Sequence, residues 1–146
     1  MIFRNEIILN SPEATFLAGN NFGAALKRNS IVGLFGNLGS GKTQFVKGVC
    51  HYFNVNDNVS SPSFIIVNEY SGFDNRTNSN ISINHFDLYR LKNMKELIEI
   101  GFEGYTNDNS ICLIEWAELA DKYFNGNIEK IFFEHGKTEN ERLIKF

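Results

Sequence analysis

Cysteine is scarce in this chain: Cys50 and Cys112 are the only two among 146 residues. They are far apart and sit in apolar patterns. A disulfide framework or a zinc pair is therefore not expected, and reduced core thiols in a cytosolic protein are. No run approaches the roughly 18 apolar residues of a membrane span. The N-terminus shows no basic segment followed by an apolar one, so no secretory signal peptide is expected. Lysine- and arginine-rich blocks are missing too, and the formal net charge is −3. Gripping nucleic acid by its phosphates wants a basic stripe, so strong direct nucleic-acid binding is not expected. These absences point to a cytoplasmic chain with no membrane partner.

Apolar material is ample. Hydrophobic residues make up 42% of the sequence and phenylalanine contributes 14 positions, enough for a buried sheet with helices on its faces. At this length residues 1–146 are expected to form one domain.

The most informative run is Gly36-Asn37-Leu38-Gly39-Ser40-Gly41-Lys42-Thr43. It fits G-x-x-x-x-G-K-S/T, the phosphate-binding loop of nucleotide triphosphatases. Ile31–Phe35 before it is a short apolar, β-branched run, and the sequence from Thr43 reads as a helix. A strand, a tight glycine turn and a helix N-terminus make an anion site largely from backbone, so a polyphosphate is the expected ligand. The glycines let backbone N–H groups approach phosphate oxygens. Lys42 places a point charge on the β and γ phosphates, and Thr43 offers a hydroxyl to Mg²⁺. The stretch Asn37, Leu38, Gly39, Ser40, Gly41, Lys42, Thr43 and Gln44 is thus expected to wrap a metal-bound triphosphate. The alternative is a chance glycine-rich turn.

Other elements follow from periodicity. Phe3–Leu9 reads as a strand. Ser11-Pro12 reads as a helix cap followed by proline at the first helical position. Ala14, Leu17, Ala18, Phe22, Ala25 and Leu26 recur at helical spacing, with Gly19 and Gly23 expected to weaken that helix by about 1 kcal/mol each relative to alanine. Phe45, Val46, Val49, Cys50 and Phe53 share one face of the helix after the loop. Phe64–Tyr70 and Ile81–Asp87 read as strands, with Ser71–Asn80 as a polar, mobile hairpin tip between them. Met94–Ile100 is a short helix stopped at Gly101. Ile111–Ile114 is a fully apolar strand, and Ala117–Phe124 a short helix. Ile128–Glu134 and Arg142–Phe146 form a closing hairpin. This order predicts an α/β chain of the P-loop NTPase-like, three-layer kind, around a central mixed, mostly parallel sheet. Ligands in such sheets bind at the carboxyl ends of strands.

Two acids stand at such ends, Asp87 and Glu115. A phosphate-loop enzyme needs an acid to hold Mg²⁺ and often a second to polarise the attacking water. Pattern alone leaves their division of roles open, and the alternative for either is an acid leaving a strand for solvent. Glu118 reads as a surface helix residue. Ser60, Ser61 and Ser63 offer hydroxyls to metal or phosphate, or form a plain turn fixed by Pro62. Arg90 offers charge to a transferred phosphate, or pairs with an acid such as Glu96. His85 alternates with Ile81 and Ile83 and reads as a structural, hydrogen-bonded histidine. Trp116 should point away from Glu115, either covering a nucleotide or packing.

Taken together, Gly36–Thr43, Ser61-Pro62-Ser63-Phe64, His85-Phe86-Asp87-Leu88-Tyr89-Arg90-Leu91 and Glu115-Trp116-Ala117-Glu118, in this order and spacing, resemble the TsaE (YjeE) family. The resemblance runs from Ser11 to Arg142. It implies an accessory ATPase in the making of threonylcarbamoyladenosine in tRNA, with ATP and Mg²⁺ as cofactors and weak intrinsic hydrolysis. It assigns Thr43 and Asp87 to Mg²⁺ and Glu115, beside Lys42, to catalysis. It also places Glu13 and Thr15 near the adenine or ribose. The implied partners are TsaD and TsaB, with ATP resetting that pair between turnovers and tRNA met only through the complex. Asn37, Ser40, Ser63 and Ala117 depart from the family's usual residues, and none of these changes removes a ligand group.

Other readings make distinct expectations. A small-molecule P-loop kinase wants an arginine-bearing lid, for which Arg76 is the only hint. A GTPase switch wants an Asn-Lys-x-Asp signature, which is absent. A nucleotide-gated docking module would work without hydrolysis.

Overall fold

The computed structural model describes residues 3–62 and 65–146. Ser63, and Phe64 at the start of the expected Phe64–Tyr70 strand, lie outside the described residues.

Among the described residues seven strands form one sheet: β1 (Glu6–Leu9), β2 (Ile31–Gly36), β3 (Val67–Asp74), β4 (Ser79–Asp87), β5 (Ser110–Glu115), β6 (Glu129–His135) and β7 (Arg142–Lys145). Four α-helices among the described residues join them: α1 (Pro12–Gly23), α2 (Lys42–Tyr52), α3 (Met94–Glu99) and α4 (Glu118–Tyr123). The strand order is β1-β7-β6-β2-β5-β4-β3. The four central strands are parallel, while β1 with β7, β6 with β7 and β3 with β4 pair antiparallel. The mixed, centrally parallel sheet expected from element order is therefore what forms.

Alternation along the strands sends side chains to two apolar layers. Val32, Leu34, Ile81, Ile83, Ile111 and Leu113 meet Phe45, Val46, Val49 and Phe53 of the α2 segment on one face. Phe86, Cys112 and Ile114 meet Leu97, Phe102, Ala117 and Ala120 on the other. Every residue of β5 is buried, which explains its unbroken apolar run. Burial of this kind stabilises by roughly 25 cal/mol per Å² of apolar surface.

Local signals placed most helix ends, although α1 stops at Gly23, short of the expected Ala25 and Leu26. Ser11 accepts from the Ala14 N–H at 3.1 Å and caps α1. Gly101, just beyond α3, takes φ 75. The glycines of α1 have a role that propensity does not reveal. A Cβ on Gly19 would fall onto the Phe45 carbonyl, and one on Gly48 would fall onto that of Phe16. Glycine here lets α1 and α2 approach closely, which offsets its cost in helix propensity.

The polar stretch Ser71–Asn80 is mostly strand, not a long tip. β3 runs to Asp74 and β4 begins at Ser79, in register from Val67 with Phe86 to Asp74 with Ser79. Backbone pairing does not depend on side-chain polarity, and Arg76 anchors the short turn by bonding Asp74 and the Ala24 carbonyl.

Candidate functional site

The carboxyl ends of β2, β5 and β4 lie side by side. Glu115 is in register with Leu34 on one side and with Asp87 on the other. The glycine loop therefore leaves β2 directly above the two acids. Gly39 and Gly41 take φ 74 and 103, values that side chains disfavour. Gly41 also precedes α2 without any side-chain cap. The first N–H groups of that helix are thus left for a ligand or solvent.

A cleft of about 360 Å³ opens here, lined by Leu38, Gly39, Ser40, Gly41, Lys42, Thr43, Gln44, Ser61, Asp87, Glu115 and Trp116. A larger cavity of about 450 Å³ lies between α1 and the β1–β7 edge, but its lining is almost wholly apolar and offers no chemistry. On the other side of the loop a smaller cleft of about 120 Å³ is bounded by Ser11, Pro12, Thr15, Gly39, Gly41, Gln44, Asn140 and Arg142.

Lys42 is buried, and its ammonium bonds the Gly36 carbonyl and the Asn37 carbonyl, the latter at 3.2 Å. It also lies 4.2 Å from the centre of the Trp116 ring. Burial lowers its pKa from the usual lysine value, while Glu115, Asp87 and Glu118 pull the other way. The Thr43 hydroxyl donates to Glu115 Oε1 at 2.7 Å. His85 Nε2 lies 3.2 Å from the same oxygen. Asp87 accepts from the Ser61 hydroxyl at 3.0 Å and from the Tyr89 N–H at 3.0 Å.

Two non-glycine residues beside the cleft hold positive φ, Ile66 at 72 and Trp116 at 54. A β-branched residue in that region is strained. The Ile66 carbonyl accepts from the Asp87 N–H at 2.8 Å, so the turn that carries this strain also braces the acid.

Of the candidate residues, Leu38, Gly39, Ser40, Gly41, Lys42, Thr43, Gln44, Asp87 and Glu115 line the larger polar cleft, and Thr15 lines the smaller one. Asn37 lines neither, and its carbonyl accepts from the Lys42 ammonium and the Ser40 N–H. Glu13 is exposed on the first turn of α1 and lines neither cleft. Ser61 reaches Asp87, whereas Ser60 bonds the Tyr70 hydroxyl through its backbone. Arg90 and Glu118 are exposed, and the Glu96 carboxylate accepts from the Lys92 N–H. Trp116 turns toward Lys42 because its φ departs from strand values.

Sequence reasoning gave no site role to Arg142 or His135, which bond the Gly39 and Leu38 carbonyls at 3.2 and 3.3 Å. Nothing local signals this, since the partners are about a hundred residues apart. His85 is buried and hydrogen-bonded as expected, and only the identity of its partner, Glu115, was hidden from the sequence.

The donor set suits an oxygen-loving cation brought in with phosphate. Among the described residues no group of three or more His, Cys, Asp and Glu could hold a metal alone. A hydroxyl and two carboxylates match the Mg²⁺ pattern in which nucleotide phosphates complete the coordination. The Ser40 hydroxyl is buried in the loop with no partner among the described residues.

Comparison with known proteins adds a second line. A family model described as "Threonylcarbamoyl adenosine biosynthesis protein TsaE" matches residues 9–144. A relative from Rickettsia felis, named tRNA threonylcarbamoyladenosine biosynthesis protein TsaE, is 42% identical over 138 residues, spanning 94% of this chain and 76% of its own. The Bacillus subtilis protein of the same name is 31% identical over 136 residues, spanning 93% and 80%. The crystal structure of Bacillus subtilis YdiB aligns with a TM-score of 0.75 at 25% identity, covering 100% of this chain and 86% of YdiB.

Proposed function

We propose that this chain, which belongs to the TsaE family of threonylcarbamoyl adenosine biosynthesis proteins, serves tRNA modification as an accessory ATPase with Mg²⁺ as cofactor. It would dock on TsaB and TsaD and reset that pair through ATP binding and hydrolysis, meeting tRNA only through the complex. The observation that supports this most is the meeting of Lys42, Thr43, Asp87 and Glu115 in one cleft at three adjacent strand ends. The placement of Thr15 beside the loop supports a nucleoside lying on that side.

Each residue has a task in this reading. The loop N–H groups and Lys42 bind the triphosphate tail, Lys42 exchanging its loop carbonyls for phosphate oxygens. Thr43 and Asp87 would hold Mg²⁺, which when bound offsets charge on the β and γ phosphates. Glu115 orients the attacking water and accepts its proton. Trp116 and the loop shield that water from bulk solvent. Calorimetry with ATP and Mg²⁺ should show binding, and turnover should rise when TsaB and TsaD are added. If the purified partners neither bind the chain nor alter its turnover, the proposal fails.

The kinase reading loses its one sequence hint. Arg76 is paired with Asp74 at the hairpin turn, at the opposite end of β4 from Asp87.

A further inference from the structure

Glu115 is held from two sides, and only one of them belongs to the glycine loop. Thr43 Oγ1 and His85 Nε2 both bond Oε1, and neither takes Oε2. His85 is fully buried. Its Nδ1 has no hydrogen-bond partner among the described residues. Nε2 is therefore the ring nitrogen placed to donate, because a buried N–H without an acceptor is costly while a lone pair is less so. Ile81 and Ile83 precede it at alternate positions of β4 and are apolar core residues. Pure packing would be served by another such side chain, since an imidazole in that layer carries a desolvation cost. Among the described residues this ring hydrogen-bonds the carboxylate assigned to catalysis, and His85 itself lines neither polar cleft.

We propose that His85 is a positioning residue for Glu115. Its Nε2–H and the Thr43 hydroxyl together pin Oε1, so that Oε2 is the oxygen left to meet water in the cleft. The device links β4 to β5 across the same pair of strands that carries Asp87 and Glu115 in register. This inference rests on the ATPase reading above.

His85→Leu removes the donor at similar volume, and His85→Gln restores an N–H near the place of Nε2. With ATP and Mg²⁺, the kcat of His85→Leu should fall about tenfold or more while KM changes little, because Glu115 acts on the reacting water and not on nucleotide affinity. His85→Gln should recover most of that loss. In nucleotide-free protein, urea unfolding of His85→Leu, Glu115→Leu and the double variant should be non-additive, because either single change removes the contact between the two side chains. A His85→Leu protein with unchanged kcat overturns the proposal. So does His85→Gln no better than His85→Leu when both fold, or strict additivity in urea. If the unaltered chain hydrolyses no ATP, the ATPase reading falls and this one with it. If it does and His85→Leu matches it, this one alone falls.

Discussion

Three acids are buried among the described residues, and the two ends of β4 treat them differently. At the hairpin end, Asp74 takes the Arg76 guanidinium on both oxygens, at 2.9 and 3.1 Å, and the Arg76 backbone N–H at 3.0 Å. Hydrogen bonds from Arg76 hold the Asp74 carboxyl below its ordinary range. At the cleft end, Asp87 and Glu115 receive hydroxyls, a backbone N–H and an imidazole. Lys42 feels both carboxylates, yet its ammonium bonds loop carbonyls. A buried acid with its own guanidinium is complete as structure. Two buried acids beside a polar cleft, with no guanidinium of their own, are suited to a cation that arrives from outside.

The contrast breaks most severely at Glu115. Glu115→Gln should cut ATP turnover about a hundredfold or more, through loss of the general base, while calorimetry still detects ATP. Urea unfolding should show no loss of stability, since an amide is cheaper to bury than a charge. Lys42→Ala should weaken ATP about a hundredfold by removing a charge-assisted contact. Unchanged affinity in calorimetry would refute its placement on phosphate. Asp87→Asn should raise the Mg²⁺ concentration needed for half-maximal turnover about tenfold, and an unaltered metal titration would remove Asp87 from that role.

Arg76→Ala tests the other end. It should cost about 2 kcal/mol in urea, as expected for charged hydrogen bonds at a partly exposed pair, and leave nucleotide affinity untouched. The pH dependence follows in sign. Because the native Asp74 carboxyl is shifted down, its contribution is complete above the ordinary carboxylate range and drains away as pH falls through the lowered native value. Acid titration of Arg76→Ala should therefore show a shallower loss.

The smallest effect concerns buried groups left neutral. Burial pushes the Cys50 and Cys112 thiols up to about 12. Above the ordinary thiol range the unfolded chain loses these protons first, so stability should decline modestly as pH rises toward the native value. A thiol reagent at neutral pH should modify them only on unfolding.

Much of the fold could be read along the chain because its signals are local. The apolar β5 run, the Ser11 cap, the Gly101 stop and the glycine loop each arise from neighbours in sequence. The polar β3–β4 hairpin was harder, since its strands are held by backbone pairing that leaves no apolar trace beyond alternate residues. The close α1–α2 approach hid behind glycines that look like flaws in a helix.

By itself the sequence determined that a phosphate-seeking loop would sit between a strand and a helix, and that two acids would end two strands. Only the folded chain decided which side chains share an oxygen. Thr43 and Glu115 are 72 residues apart, His85 and Glu115 are 30, and Arg142 reaches Gly39 across 103. Such pairings depend on strand order, on register and on one backbone reversal at Trp116. Periodicity and composition report what a residue's neighbours in the chain impose. They carry no record of which strand lies alongside, and that is where the chemistry of this cleft is assembled.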